Sequence, residues 1–156
     1  MAESRFVYVT YIDSTPEKVW DALLDPEMTR RYWGRHRNAS DWQAGSSWEH
    51  QDYDDAAVVD IVGKVVESEP PRRLVLTWAA PAEAGDPSKH SRVTFEIEPA
   101  YGSVRLTVTH DELEPDSEML RGISFGWPAV LSSLKTLLET GNPLPGTDKR
   151  WGKDAK

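Results

Sequence analysis

The sequence predicts an α+β protein: a curved antiparallel sheet of about six or seven strands, its apolar face covered by one long C-terminal helix. Three observations predict it. The middle of the chain alternates apolar and polar residues with period two, the mark of strands wet on one face. Leu120, Ile123, Trp127, Leu131, Leu134 and Leu138 recur at three- and four-residue steps, the mark of a helix with one buried stripe. Two cap-then-proline signals near the start each open a short helix.

Taken in order, residues 6–12 (FVYVTYI) are β-branched and aromatic and read as a strand. Thr15 can cap a helix whose first position is Pro16, with Val19, Trp20, Leu23 and Leu24 on its apolar face. Asp25-Pro26-Glu27 starts a second short helix towards Tyr32 and Trp33. Strands are then expected at 47–51, 57–67, 74–79, 92–98 and 103–111, with a weaker one near 38–42. Turn-forming residues separate them: Ala44-Gly45-Ser46, 52–55, Pro70-Pro71, 81–88 and 99–102. Alternation turns Val93, Phe95 and Ile97 to one face, and Val104, Leu106, Val108 and His110 likewise. Gly141 followed by Pro143 stops the last helix. Pro128 predicts a kink or restart of that helix near Gly126. One domain is expected over 1–145, and a flexible tail over 146–156, where no periodicity remains.

Composition bounds the function. The 156 residues suit a single domain. The absence of cysteine excludes a disulfide scaffold, a thiol nucleophile and thiolate metal sites. A net charge of −8 disfavours non-specific nucleic-acid binding and anionic membrane surfaces. No signal peptide and no membrane span are evident, so a cytoplasmic location is expected. Seven tryptophans are many for this length.

The motifs that resemble known chemistry are weak. Gly122-Ile123-Ser124-Phe125-Gly126 matches G-x-S-x-G, but helix precedes it and all four histidines come before Ser124, against the hydrolase order. No two histidines stand at ligand spacing, and Asp52, Asp54 and Asp55 lack the glycine and distal glutamate of a calcium loop. No metal or cofactor is expected. The acidic residues Asp111, Glu112, Glu114, Asp116 and Glu118 suit the start of the last helix. Arg30, Arg31, Arg35, His36 and Arg37 form a basic cluster, read either as a solvated loop or as a contact for an anion or a partner protein.

His110 is the inward histidine, read either as a core residue satisfied by a neighbour or as a ligand-orienting or acid/base group. Trp33, Trp48, Trp78 and Trp127 fall where they could line one space between sheet and helix, with Phe95, Val108, His110, Ile123 and Leu131 beside them. Trp20 reads as core, Trp42 is ambiguous and Trp151 lies in the tail.

These residues carry a resemblance. The pieces are 15–23 (TPEKVWDAL), Asp25-Pro26-Glu27 with Trp33-Gly34, Gly63-Lys64-Val65 with 69–74 (EPPRRL), Thr77-Trp78, 107–110 (TVTH), and Gly126-Trp127-Pro128 with Leu131. Together they resemble the START-like, or SRPBCC, helix-grip superfamily, nearest to the family named for the activator of the heat-shock protein 90 ATPase. The resemblance implies a sheet wrapped on the C-terminal helix and a bacterial-type single domain. It would lack the additional N-terminal domain that eukaryotic-type co-chaperones carry. It leaves three functions open. The first is binding of a small hydrophobic or aromatic molecule in the cavity. The second is catalysis on the same scaffold, of a polyketide cyclase or dehydratase kind, with His110 as acid/base. The third is a co-chaperone-like interaction through Arg30, Arg31, Arg35 and Arg37.

Overall fold

The caps expected from the sequence start the helices. Thr15 Oγ1 accepts the Lys18 amide at 3.3 Å and Pro16 opens α1 (Pro16–Leu24). Asp25 Oδ1 accepts the Glu27 amide at 3.0 Å and Pro26 opens α2 (Pro26–Tyr32). Ser117 caps α3 (Glu118–Thr140) through the Leu120 amide at 3.0 Å, and Gly141 ends it in the left-handed conformation at φ 88°. The coordinates are a computed structural model that describes residues 4–149.

The strands are β1 (Ser4–Ile12), β2 (His36–Ser40), β3 (Ser47–Asp52), β4 (Val59–Glu69), β5 (Arg73–Trp78), β6 (Ser91–Ala100) and β7 (Ser103–Leu113). They form one antiparallel sheet in the order β1-β7-β6-β5-β4-β3-β2. The first strand therefore lies beside the last. Val93, Phe95 and Ile97 of β6 and Val104, Leu106, Val108 and His110 of β7 all turn inward and are buried, as alternation predicts. The buried stripe of α3 (Ile123, Trp127, Val130, Leu131, Leu134 and Leu137) closes over that face. This is the helix-grip arrangement.

Two expectations are corrected. The weak strand begins at His36 rather than near residue 38 and leaves Trp42 outside it. Gly34 and Arg35 take left-handed φ values of 60° and 58°, which turn the chain straight from α2 into β2. Next, α3 does not restart at Pro128 but runs as one helix from Glu118 to Thr140. The ring removes one backbone donor, but Trp127 on one side and Val130, Leu131 and Leu134 on the other are buried, so packing holds both halves in one helix. Residues 146–149, the described part of the stretch after Pro145, make defined contacts. Thr147 is buried, its Oγ1 lies 2.7 Å from Ser133 Oγ and donates to Leu144 O at 2.8 Å, and its carbonyl accepts the Gly34 amide at 2.8 Å. Residues 150–156, including Trp151, lie outside the described residues. Among the described residues, no helix is long and apolar enough to cross a membrane.

Candidate functional site

One cavity of about 420 Å³ lies between the sheet and the first half of α3. Its apolar wall is Trp33, Ile61, Trp78, Ile123, Trp127 and Val130. Gly122 and Gly126, one helical turn apart, form the α3 side of the space. A Cβ at either glycine would meet nothing within 4 Å, so they leave open volume rather than permit close helix–sheet contact. Exposed Asp60 and Gly122 stand at its rim. The size is within the ~300–1,000 Å³ of small-molecule sites.

The tryptophans form a connected cluster. Trp33 and Trp78 each pack on Trp127 with ring centroids 5.5 Å apart. Trp48 stands behind Trp78 at 5.4 Å, and Phe95 meets Trp127 edge-on at 5.8 Å. Of the nine side chains expected to line a cavity, the structure brings Trp33, Trp78, Ile123 and Trp127 to it. Trp48, Phe95, Val108, His110 and Leu131 lie behind that wall, in the packed core.

His110 illustrates the difference. Trp127 Nε1–H donates to its Nδ1 at 3.1 Å, which fixes the proton on Nε2. That nitrogen lies 2.7 Å from Ser91 Oγ, which in turn donates to Trp78 O at 3.2 Å. Both ring nitrogens are engaged, and burial pushes the pKa down to about 3. His110 is the satisfied core histidine of the two readings, and it orients the Trp78 and Trp127 walls rather than facing the cavity.

The cavity's polar end is built by residues that sequence reasoning did not assign to the cavity; His36 was read only as part of the basic cluster. The Gly34–Arg35 turn delivers His36 at the start of β2 with its ring inward. Its Nδ1 lies 2.8 Å from Gly34 O and its Nε2 2.6 Å from Asp60 Oδ2, so it faces an acceptor on each side. Asp60 owes its position to a β-bulge. His50 pairs with Ile61 and Gln51 with Val59, which leaves Asp60 unpaired and turned towards His36. His50 stacks on His36, centroids 4.6 Å apart and planes 7° from parallel. It is anchored from behind: its Nδ1 lies 2.7 Å from Asn38 Oδ1, and Asn38 Nδ2 donates to Leu23 O at 3.1 Å. Asn38 thus presents only an acceptor, so His50 carries its proton on Nδ1 and leaves a lone pair on Nε2. Burial first, and then the positive form of His36, hold the His50 pKa well below its ordinary value. The weakness of the sequence signal is plain: His36, His50 and Asp60 are far apart in sequence, and only strand register and the bulge bring them together.

The arginine cluster is not a free cationic patch. Arg30 pairs with Glu27 at 3.0 Å, and Arg35 forms a two-pronged ion pair with Asp54. Arg31 donates to Gly141 O at 2.9 Å, and Arg37 to Gln51 Oε1 at 2.9 Å. Asp52 Oδ1 and Asp55 Oδ1 accept backbone amides within their own turn. The G-x-S-x-G run lies wholly inside α3, without the strand and sharp turn a nucleophile elbow needs.

Comparisons with known proteins agree with this architecture. A protein from Mesorhizobium loti, MLL2253, superposes with a TM-score of 0.70 at 25% identity, over 86% of this chain and 96% of its own. CalU16 from Micromonospora echinospora superposes with a TM-score of 0.70 at 23% identity, over 93% and 80%. The Aha1 dimer from Colwellia psychrerythraea gives 0.70 at 19% identity, over 88% and 98%. The last two identities show the fold alone. No curated protein sequence matches the chain. The sequence profile described as Activator of Hsp90 ATPase homolog 1-like protein matches residues 13–139, from the end of β1 almost to the end of α3. That span contains every residue of the cavity wall, and the chain belongs to this Activator of Hsp90 ATPase homolog 1-like family.

Proposed function

We propose that this protein binds a small apolar or aromatic molecule in the cavity between the sheet and α3. One observation carries the reading: three tryptophans, an isoleucine pair and a valine surround about 420 Å³ of open space, and two helix glycines keep it open. A helix interior loses stability at each glycine, about 0.8–1 kcal/mol relative to alanine. Two of them facing the space, with no steric need for either, favour a volume kept for an occupant.

The catalytic reading is the weaker one. A general base works best with a pKa near the working pH. Burial holds both His50 and His110 well below that range, which suits a hydrogen-bond acceptor better than a base.

The test is a screen of naphthalene-sized aromatics by tryptophan quenching and thermal shift. Binders should quench the cluster and raise Tm, by the equivalent of about 2.7 kcal/mol at a hundredfold excess over Kd. Gly126→Leu should fill the space from the α3 side, keep the fold and abolish both signals. If no aromatic or aliphatic probe moves either signal, the binding reading is wrong.

A further inference from the structure

The cavity is not uniformly apolar, and its unpartnered polar atoms describe the ligand. His50 is buried and has one hydrogen bond, from Nδ1 to Asn38. Its Nε2 lone pair has no partner among the described residues, and the ring lines the cavity. A second unpartnered atom is Trp78 Nε1, a buried donor on another lining ring whose centroid is 6.4 Å from that of His50. An acceptor open to a mostly apolar space and unmatched by the protein calls for an explanation, which a ligand donor supplies.

We propose that the ligand is a planar aromatic molecule bearing a hydroxyl, and that His50 Nε2 accepts the hydroxyl proton in a hydrogen bond. This rests on the binding reading above and sharpens it. A hydroxyl supplies the donor that this lone pair lacks. A carboxylate or a ketone cannot donate to a lone pair. An ammonium can, but the burial that already disfavours the charged form of His50 also disfavours a cation there. His50 is held for this role from behind, by the Asn38–Leu23 relay, and from the side, by the His36 ring stacked on it. It is a binding and selectivity residue, and no proton leaves the ligand.

The experiment compares 2-naphthol, 2-methoxynaphthalene and naphthalene on the full chain by tryptophan quenching. The first two share ring and oxygen and differ in the donor. Naphthol should bind about tenfold tighter than its methyl ether, the scale of one buried hydrogen bond gained and one lone pair left bare. His50→Phe should erase that ratio while the ether still binds. If His50→Phe does not fold, the ¹⁵N resonance of His50 Nε2 in histidine-labelled native protein decides: it should move with naphthol and stay with the ether. Equal binding of naphthol and ether overturns the proposal while the cavity reading stands. A ratio kept in folded His50→Phe overturns it as well, because the preference for a donor then comes from another acceptor. Failure of all three probes to bind removes the cavity reading as well.

Discussion

An imidazole buried in its neutral form makes folding sensitive to mild acid. Burial pushes His110 down to about 3, and burial together with His36 pushes His50 well below its ordinary value. The unfolded chain, whose histidines titrate near ~6.5, binds these two protons first. Stability owed to the two neutral rings is therefore complete above about pH 6.5 and is lost as pH falls towards their folded values. Each ring contributes a slope of about 1.4 kcal/mol per pH unit. Between pH 6 and pH 5, above most carboxylate titration, urea denaturation should show a loss of about 2 kcal/mol, and His110→Gln should halve it. A flat profile over that interval would contradict the neutral assignment. The inward direction of His110 was legible from alternation with Val104, Leu106 and Val108. Its partners were not, because Ser91 and Trp127 come from a neighbouring strand and from α3. Register decides which hydroxyl meets which ring, and a one-dimensional pattern carries no register.

Elements were legible where a local signal exists and obscure where the cause is a neighbour. Caps, prolines and periodicity placed α1, α2, α3 and most strands. No local feature marked the bulge at Asp60, which turns a strand residue into part of the cavity's polar end. Glycines show the same limit. Gly63 lies on β4 between Trp48 and Thr77: a Cβ there would come 1.9 Å from Thr77 O and 2.5 Å from Trp48 Nε1. That contact is already used, since Trp48 Nε1–H donates to Thr77 O at 2.8 Å. Gly63→Ala should push strands β4 and β5 apart and destabilise the protein by about 3 kcal/mol. Gly122→Ala has open space around it and should stabilise α3 by about 0.5–1 kcal/mol. Urea midpoints of the two variants should therefore move in opposite directions. A neutral Gly63→Ala would mean that β4 and β5 can yield without loss of packing.

The contacts of α3 with β1 and of the segment after α3 with α2 belong to the whole molecule. The sheet brings β1 beside β7, and α3 crosses back to β1, where Lys135 Nζ donates to Tyr11 O at 2.7 Å and Glu139 accepts the Asp13 amide at 2.8 Å. Beyond α3 the chain returns to α2. Ser133 Oγ accepts the Leu144 amide at 3.0 Å, and Thr147 Oγ1 donates to Leu144 O. The Thr147 carbonyl holds the Gly34 amide, and the Gly34 carbonyl faces His36 Nδ1 at 2.8 Å. A continuous hydrogen-bonded path thus runs from the segment after α3 to the Trp33–His36 side of the cavity. Apolar periodicity could not reveal it, because the tie is made by hydroxyls and backbone rather than by a buried stripe. Thr147→Ala should remove the hydroxyl bonds, cost about 1–2 kcal/mol by urea denaturation, and leave the Gly34 turn less firmly held. Binding of 2-methoxynaphthalene, which tests the apolar wall alone, should weaken with it. Thr147→Ser keeps the hydroxyl and should restore both. If Thr147→Ala loses stability but binds the probe as the native protein does, the tie serves folding only, and the cavity wall is set by α2 and β2 without help from the chain's end.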